Sequence, residues 1–365
     1  MEIDLTEIKD IETIEMSLFE NNNMIENISL SKVKLIGKDS FRNCKNLESI
    51  SFPVLTNISS SSFYKCEKLY NVYCPILKIV ANSAFGLCNS LEEISLPNVT
   101  KIERFGFYEC RNLRKVYLPL CKIIEDRGFW MCPNLRHISI NNVTEIGDYG
   151  FFHCKKLESI SCENLVKLGK NCFTKCVSLK RIHLPKLTRI GNEEVNDCWR
   201  SGTFEGCESL ISVNLPKLLS IESNAFWNCL YIRNLYFPNV VSIGKNAFKY
   251  CQRLEEISFG KNIRFMSIGD DIFEGCENFV SFICHHQLLL PISLSSQITS
   301  KIVENKSRFL KDVIWLRRIE LEYQMIPDDL YAEIKKFLIP QFFFQPINNK
   351  RKYCLNDDIK SKRKK

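Results

Sequence analysis

The sequence lacks the signatures from which catalysis is usually read. It has five histidines in 365 residues, and none falls in a zinc, triad or phosphate-loop motif. No Cys-x-x-Cys pair occurs among its 18 cysteines, which leaves a structural zinc site without its usual ligand spacing. Neither an enzyme nor a bound cofactor is expected. No uncharged apolar run reaches the roughly 18 residues a membrane span requires. The opening Met-Glu-Ile-Asp-Leu-Thr-Glu is acidic where a secretory signal is basic and then apolar. A soluble chain, cytoplasmic or nuclear, is therefore expected, with surface exposure the lesser alternative.

The body also lacks a charge excess. The formal charge is +8, but eight Lys and Arg against two Asp lie in residues 349–365, so the tail carries +6 and the other 348 residues carry +2. That balance argues against a nucleic-acid groove along the body. The tail clusters Lys350-Arg351-Lys352 and Lys360 to Lys365 have the composition of a signal for an import receptor or of a patch for an anionic surface.

What the sequence has is repetition. Phenylalanine recurs at Phe19, Phe41, Phe63, Phe85, Phe107, Phe129, Phe151 and Phe173 at intervals of 22 without a slip. After a nine-residue insertion within 191–203 the register resumes at Phe204, Phe226 and Phe248, and a twelfth start, Phe273, comes three residues late. Counting each Phe as position 0, Cys stands at 3 and apolar residues at 6, 9, 11, 14 and 17, often with Pro at 12. A period in this range marks an array in which each unit buries its neighbour's apolar edge.

Each unit suggests its own local structure. Alternation at 9 and 11 is the period of a short half-buried strand, and Pro53, Pro75, Pro97 or Pro119 at 12 ends it by removing a donor. The spacing 0, 3, 6 of Phe, Cys and Leu predicts a helical turn. The expected fold is thus an α/β solenoid of about twelve coils, with one strand per coil stacked into a continuous parallel sheet lining a concave side. Eleven cysteines occupy position 3 and four more (Cys74, Cys121, Cys162, Cys284) replace apolar residues at 11 or 14. These read as small buried hydrophobes kept reduced rather than as a disulfide framework, because thiols pointing the same way from adjacent coils suit disulfide torsions poorly.

Residues 1–18 match the back half of a unit and read as an N-terminal cap before the solenoid at 19–284. Helical spacing over Ile302 to Leu316 and again over Leu330 to Leu338 predicts a helical C-terminal cap at 285–345, followed by a basic disordered tail at 346–365. His285 and His286 beside Cys284 read as boundary residues of that cap rather than metal ligands. Cys198-Trp199 reads as an ordinary part of the insertion loop.

The pattern Ala-Phe-x-x-Cys-x-x-Leu-x-x-Ile-x-Leu-Pro-x-Val-x-x-Ile-Gly resembles the BspA-type (Treponema pallidum-type) leucine-rich repeat, with close matches from Ala225-Phe226 to Gly244 and from Ala247-Phe248 to Ile257. The resemblance covers about residues 19–284. It implies a protein-binding array, and among relatives surface proteins that adhere to other proteins or cells. Separately, Ile326-Pro327-Asp328-Asp329-Leu330 through Leu338 resembles the opening of an F-box, which would imply docking to a ubiquitin-ligase adaptor; a helix with Pro in its first turn and acidic neighbours gives the same string for structural reasons.

The outward-facing strand positions 8 and 10 are the candidate working surface. Tyr and Arg anchor interfaces because they bury much area at small entropic cost. A protein-binding face centred on Tyr73, Lys115, Tyr117, His137, Arg181, His183 and Tyr236 is expected; the partner's identity is not written in the repeat.

Overall fold

A computed structural model describes residues 10–190, 202–260, 267–269 and 271–283. The chain divides into two units, Met1–Asp312 and Val313–Lys365, and every described residue belongs to the first. The expected helical cap at 285–345, its F-box-like segment at 326–338, the basic tail, His285 and His286, residues 1–9 of the cap and residues 191–201 with Cys198-Trp199 lie outside the described residues.

The array is a parallel β-solenoid. Positions 8 to 10 of each unit form one strand, as in Glu93–Ser95, Lys115–Tyr117 and His137–Ser139. Each strand pairs in parallel with the same positions one coil away, so that Lys115 faces Glu93 on one side and His137 on the other. Twelve such strands from Asn27–Ser29 to Ser281–Ile283 bound eleven complete turns, which brings the expected twelve coils to about eleven.

Three expectations are corrected. The first is the number of strands per coil. Positions 16 and 17 form a second strand, beginning at Thr13–Ile14 and Leu35–Ile36, which two residues of alternation are too short to announce. This second series is the more continuous one: eight strands pair in sequence from Thr13–Ile14 to Lys167–Leu168. Across the insertion the second series continues as the single pair Arg189↔Ser220. The second correction concerns the first series, which is four sheets of three strands rather than one sheet. Three-residue strands offer few ladder bonds, so the ordinary twist between neighbours is enough to interrupt them.

The third correction removes the helical turn. Among the described residues there is no helix, and the Phe segment is a chain of tight turns: Cys44 N–H donates to Phe41 O at 3.2 Å and Leu47 N–H to Cys44 O at 3.1 Å. Bonds spanning three residues give the same 0, 3, 6 spacing as a helix, hence the misreading. A helix is prevented by left-handed residues on both sides of every repeat Phe except Phe204, which has one only on its C-terminal side, at Gly206; Asp39 (φ 55°) and Asn43 (φ 58°) around Phe41 are one case. These turns build a third wall whose N–H groups also donate to the next coil, Phe41 to Ser62 O at 2.8 Å and Asn43 to Tyr64 O at 2.7 Å. The described array is therefore all-β where α/β was expected.

Inside the coil the repeated letters meet their own copies. From Phe19 to Phe273 consecutive rings stack in near-parallel pairs with centroids 5.0 to 6.1 Å apart. Such pairs add about 0.5–1.5 kcal/mol each beyond area burial. The position-3 cysteines do more than fill space. Each Sγ donates to the carbonyl of the preceding coil's Phe, Cys110 to Phe85 O and Cys132 to Phe107 O both at 3.0 Å. The Phe107 carbonyl also accepts Cys110 N–H at 3.3 Å, so both its lone pairs are used inside the core. All fifteen described cysteines are buried and free. Burial pushes the Cys110 thiol up to about 12 and the Cys132 thiol well above its ordinary value, which keeps the donor protonated at any ordinary pH.

Where the insertion rejoins the array the coils approach closely: a β-carbon on Gly202 would sit 2.0 Å from Asn224 O. Beside it Thr203 donates both its N–H, at 2.7 Å, and its hydroxyl to Glu222 Oε1. Burial nevertheless pushes the Glu222 carboxyl up to about 7 from 4.5.

Two outcomes are expected. Phe129→Ala should cost about 3–5 kcal/mol, for a large cavity, and Cys132→Ala about 1–3 kcal/mol, for a smaller cavity and a lost donor, both read by urea unfolding. Between pH 4.5 and about 7 the folded chain holds a proton on Glu222 that the unfolded chain releases, so stability falls as pH rises through that window. Glu222→Gln should remove this slope, worth roughly 1.4 kcal/mol per pH unit within that window, from the stability measured between pH 5 and 8; an unchanged slope would show that Glu222 is not its source.

Candidate functional site

The three-residue strands alternate one buried residue between two outward ones. In Lys115–Tyr117, Val116 is buried while its neighbours face out, so the sheet turns its working residues outward by period alone. Tyr73, Tyr117 and Tyr236 are 54%, 50% and 60% exposed, which is unusual enough for rings of this size to make the face chemically distinct from the core.

The structure distributes the seven expected residues over four sheets. Lys115, Tyr117 and His137 share one sheet and one open cavity of about 590 Å³, floored by Val116, Ile94 and Ile138 and edged by Ser95, Ser139 and Ser159. Tyr73 lies on the neighbouring sheet, whose Asn71 and Val72 reach the rim of that cavity. Arg181 and His183 belong to the sheet of Ser159–Ser161 and Ser212–Asn214, and Tyr236 to the sheet of Asn234–Phe237 and Glu256–Phe259. The face therefore offers one central group and separate outliers.

Its charges are largely paired. Lys115 Nζ lies 2.6 Å from Glu93 Oε1, Arg114 pairs with Glu92 at 3.4 Å and Arg136 with Glu158 at 3.5 Å. At this exposure such pairs contribute about 0–1 kcal/mol each; what they provide is a patterned surface. Lys115, Arg136 and His137 also line a second recess of about 460 Å³ with Arg114, Asn134 and Lys156, which tips that edge of the face towards positive charge. His183 is positioned on both sides: Asn214 Nδ2 lies 2.8 Å from its Nδ1, and its Nε2 lies 3.0 Å from Glu163 Oε1. With Nδ1 accepting from the amide, Nε2–H donates to the carboxylate. Among the described residues no group of three His, Cys, Asp or Glu is placed to hold a metal ion, and no helix is long and apolar enough to cross a membrane.

Sequence reasoning missed the turn wall. Arg42, Tyr64, Phe105, Tyr108, Arg127 and Trp130 line a recess of about 460 Å³ there. The signal was available: positions immediately around each buried Phe carry aromatics in consecutive units, yet a turn predicted as helical gave no reason to align them as columns.

The model of the BspA type leucine rich repeat region matches residues 2–92, 78–200 and 199–289 in six copies. Among solved structures the chain is similar to a leucine-rich repeat protein from Bacteroides ovatus, at 25% identity and TM-score 0.55, over 75% of this chain and 82% of that one. It is also similar to a leucine rich cell surface protein from Faecalibacterium prausnitzii, at 19% identity and TM-score 0.43, over 79% of this chain and 86% of that one. A third similarity is to the leucine-rich repeat protein of T. pallidum, at 25% identity and TM-score 0.38, over 46% of this chain and 72% of that one. No curated protein matches the chain. With the repeat model covering well over half of the residues and the coil geometry already described, the chain belongs to the BspA type leucine-rich repeat family.

Proposed function

We propose that the chain is a non-catalytic protein-binding scaffold that engages its partner through the face of three-residue strands, with Lys115, Tyr117 and His137 at the centre. One observation carries this reading. The buried positions repeat almost unchanged from coil to coil, while position 10 runs through Ser51, Tyr73, Ser95, Tyr117, Ser139 and His183 with no such constraint. A surface that varies over a core that does not is what an interaction array requires.

The chemistry of the face suits a folded protein surface better than a small molecule. Its cavity is open, its tyrosines stand exposed, and its ion pairs lie beside rather than within the apolar floor. Tyr73, Arg181, His183 and Tyr236 then act as additional anchor points along a partner long enough to reach neighbouring sheets. An adhesive role at a cell surface is a special case of the same reading.

With the partner identified by proximity labelling in the native cell, affinity should be measured for purified wild type and for the double variant Tyr117→Ala, His183→Ala. A loss of about 2 kcal/mol or more is expected if these are anchors, with no change for Val166→Ala, an exposed residue outside the three-residue strands. Unchanged affinity in the double variant would place the interface elsewhere.

A further inference from the structure

The turn wall carries two columns of side chains, at positions −2 and +1 around each buried Phe. From the coil of Phe63 to that of Phe151 the +1 column reads Tyr64, Gly86, Tyr108, Trp130, Phe152. Tyr108 stacks on Trp130 at 5.1 Å and 5°, and Trp130 on Phe152 at 6.1 Å and 16°. The column is thus a second, half-buried aromatic stack, interrupted at Gly86, against which the Tyr64 ring lies.

The backbone does not ask for that glycine. Gly86 is not among the left-handed residues, and its neighbours in the column hold Tyr, Trp and Phe at the same place. A β-carbon there would meet the Tyr64 ring at 2.9 Å, so glycine lets that ring lie against the backbone of the next coil. The recess of about 460 Å³ opens beside it, over the small Ser61 and Ser83 of the −2 column and lined by Tyr64, Tyr108 and Trp130. Phe105 closes one side, edge-on to Tyr108 at 5.7 Å and 84°.

The −2 column supplies a cation. All its residues here are left-handed, a conformation cheapest for Gly, Asn and Asp; Asp39, Asn171, Asn224 and Asn246 hold it in other coils. Phe105 (φ 58°), Arg127 (φ 56°) and Tyr149 (φ 58°) hold it in three consecutive coils despite their bulk. Uneconomical residues at a strained position point to a use for them. The Arg127 guanidinium lies 5.4 Å from the Phe105 ring centre and 4.9 Å from that of Tyr149. It is held by two rings, and among the described residues it has no ion-pair partner. At the other end Arg42 lies 5.6 Å over the Tyr64 ring. Two guanidiniums, two serine hydroxyls and four aromatic side chains, two of them tyrosines, line the recess, and no carboxylate does.

We propose that this recess binds an aromatic ring carrying a phosphate, in the form of a phosphotyrosine side chain on a protein partner. The ring lies in the recess against Tyr64 and Tyr108, and the phosphate meets Arg127 and the Ser61 hydroxyl, the Ser83 hydroxyl already donating to Asn82 Oδ1 at 2.8 Å. A guanidinium already clamped by rings loses little freedom on forming charge-assisted bonds to phosphate oxygens. A nucleic-acid strand fits less well: it needs cations along its path, whereas Asp39, Glu109 and Asp126 flank this wall and engage Arg42, Arg111 and Arg104. The site is separate from the strand face and stands or falls independently of it.

The test is calorimetric titration of the full chain with phenyl phosphate, inorganic phosphate and phenol, followed by a tyrosine peptide with and without phosphate. Phenyl phosphate should bind about tenfold or more tightly than either of its halves, and the phosphopeptide should bind where the unmodified peptide does not. Arg127→Gln should weaken binding by about tenfold or more, the loss of a charge-assisted bond. Tyr108→Ala should weaken phenyl phosphate and the phosphopeptide by about tenfold while leaving inorganic phosphate unchanged. Should that variant misfold, Arg127→Gln still decides the matter. Phenyl phosphate binding no better than inorganic phosphate, affinity unchanged in a folded Arg127→Gln or Tyr108→Ala variant, or a single-stranded oligonucleotide outcompeting the phosphopeptide would overturn the proposal.

Discussion

Everything in this chain depends on the contact between one phenylalanine and its copy in the next coil. A solenoid unit touches only its neighbours, so register must be re-established at every step, and here three devices agree on the same step. The rings of Phe107 and Phe129 stack at 5.2 Å and 7°. Cys132 Sγ reaches back to the Phe107 carbonyl, and the Phe107 N–H donates to Gly128 O at 2.8 Å. A slip of one residue would break all three at once, which explains why the register returns intact after the insertion, with the Phe204 ring stacked on Phe173 at 5.5 Å.

That dependence explains what could be read from the sequence. Phe at position 0 and apolar residues at 6 and 17 face the core in unit after unit, with Cys at 3 in all but the first, so their recurrence showed the solenoid, its period and its buried set directly. The thiol's second duty was not legible, because a buried cysteine has the same letter whether or not its S–H finds a carbonyl. Nor were the walls. The two-residue strand at Leu35–Ile36 is too short for periodicity, and the turns around Phe41 imitate a helix until the positive φ of Asp39 and Asn43 is seen.

The candidate sites were legible in proportion to their link with a strand. Tyr73, Lys115, Tyr117, His137, Arg181, His183 and Tyr236 could be placed on one outward face, since alternation determines direction. That three of them share a cavity while four do not follows from where the first strand series breaks, and nothing in the sequence announces those breaks. The recess at Ser61 and Ser83 depends on the turns, so it could be seen only once the turns were known. The core makes the coils equivalent, and the exposed columns make them different.

The central claim, that the stacked Phe and Cys ladder holds the array together, is most directly tested by thiol alkylation of the native protein, read residue by residue by mass spectrometry across a denaturant series. The account predicts that Cys88, Cys110, Cys132, Cys154 and Cys176, fully buried and donating to carbonyls, stay unlabelled in the native protein and become reactive together as the array unfolds. Labelling of any of these five at the rate of an exposed thiol, without denaturant, would contradict it.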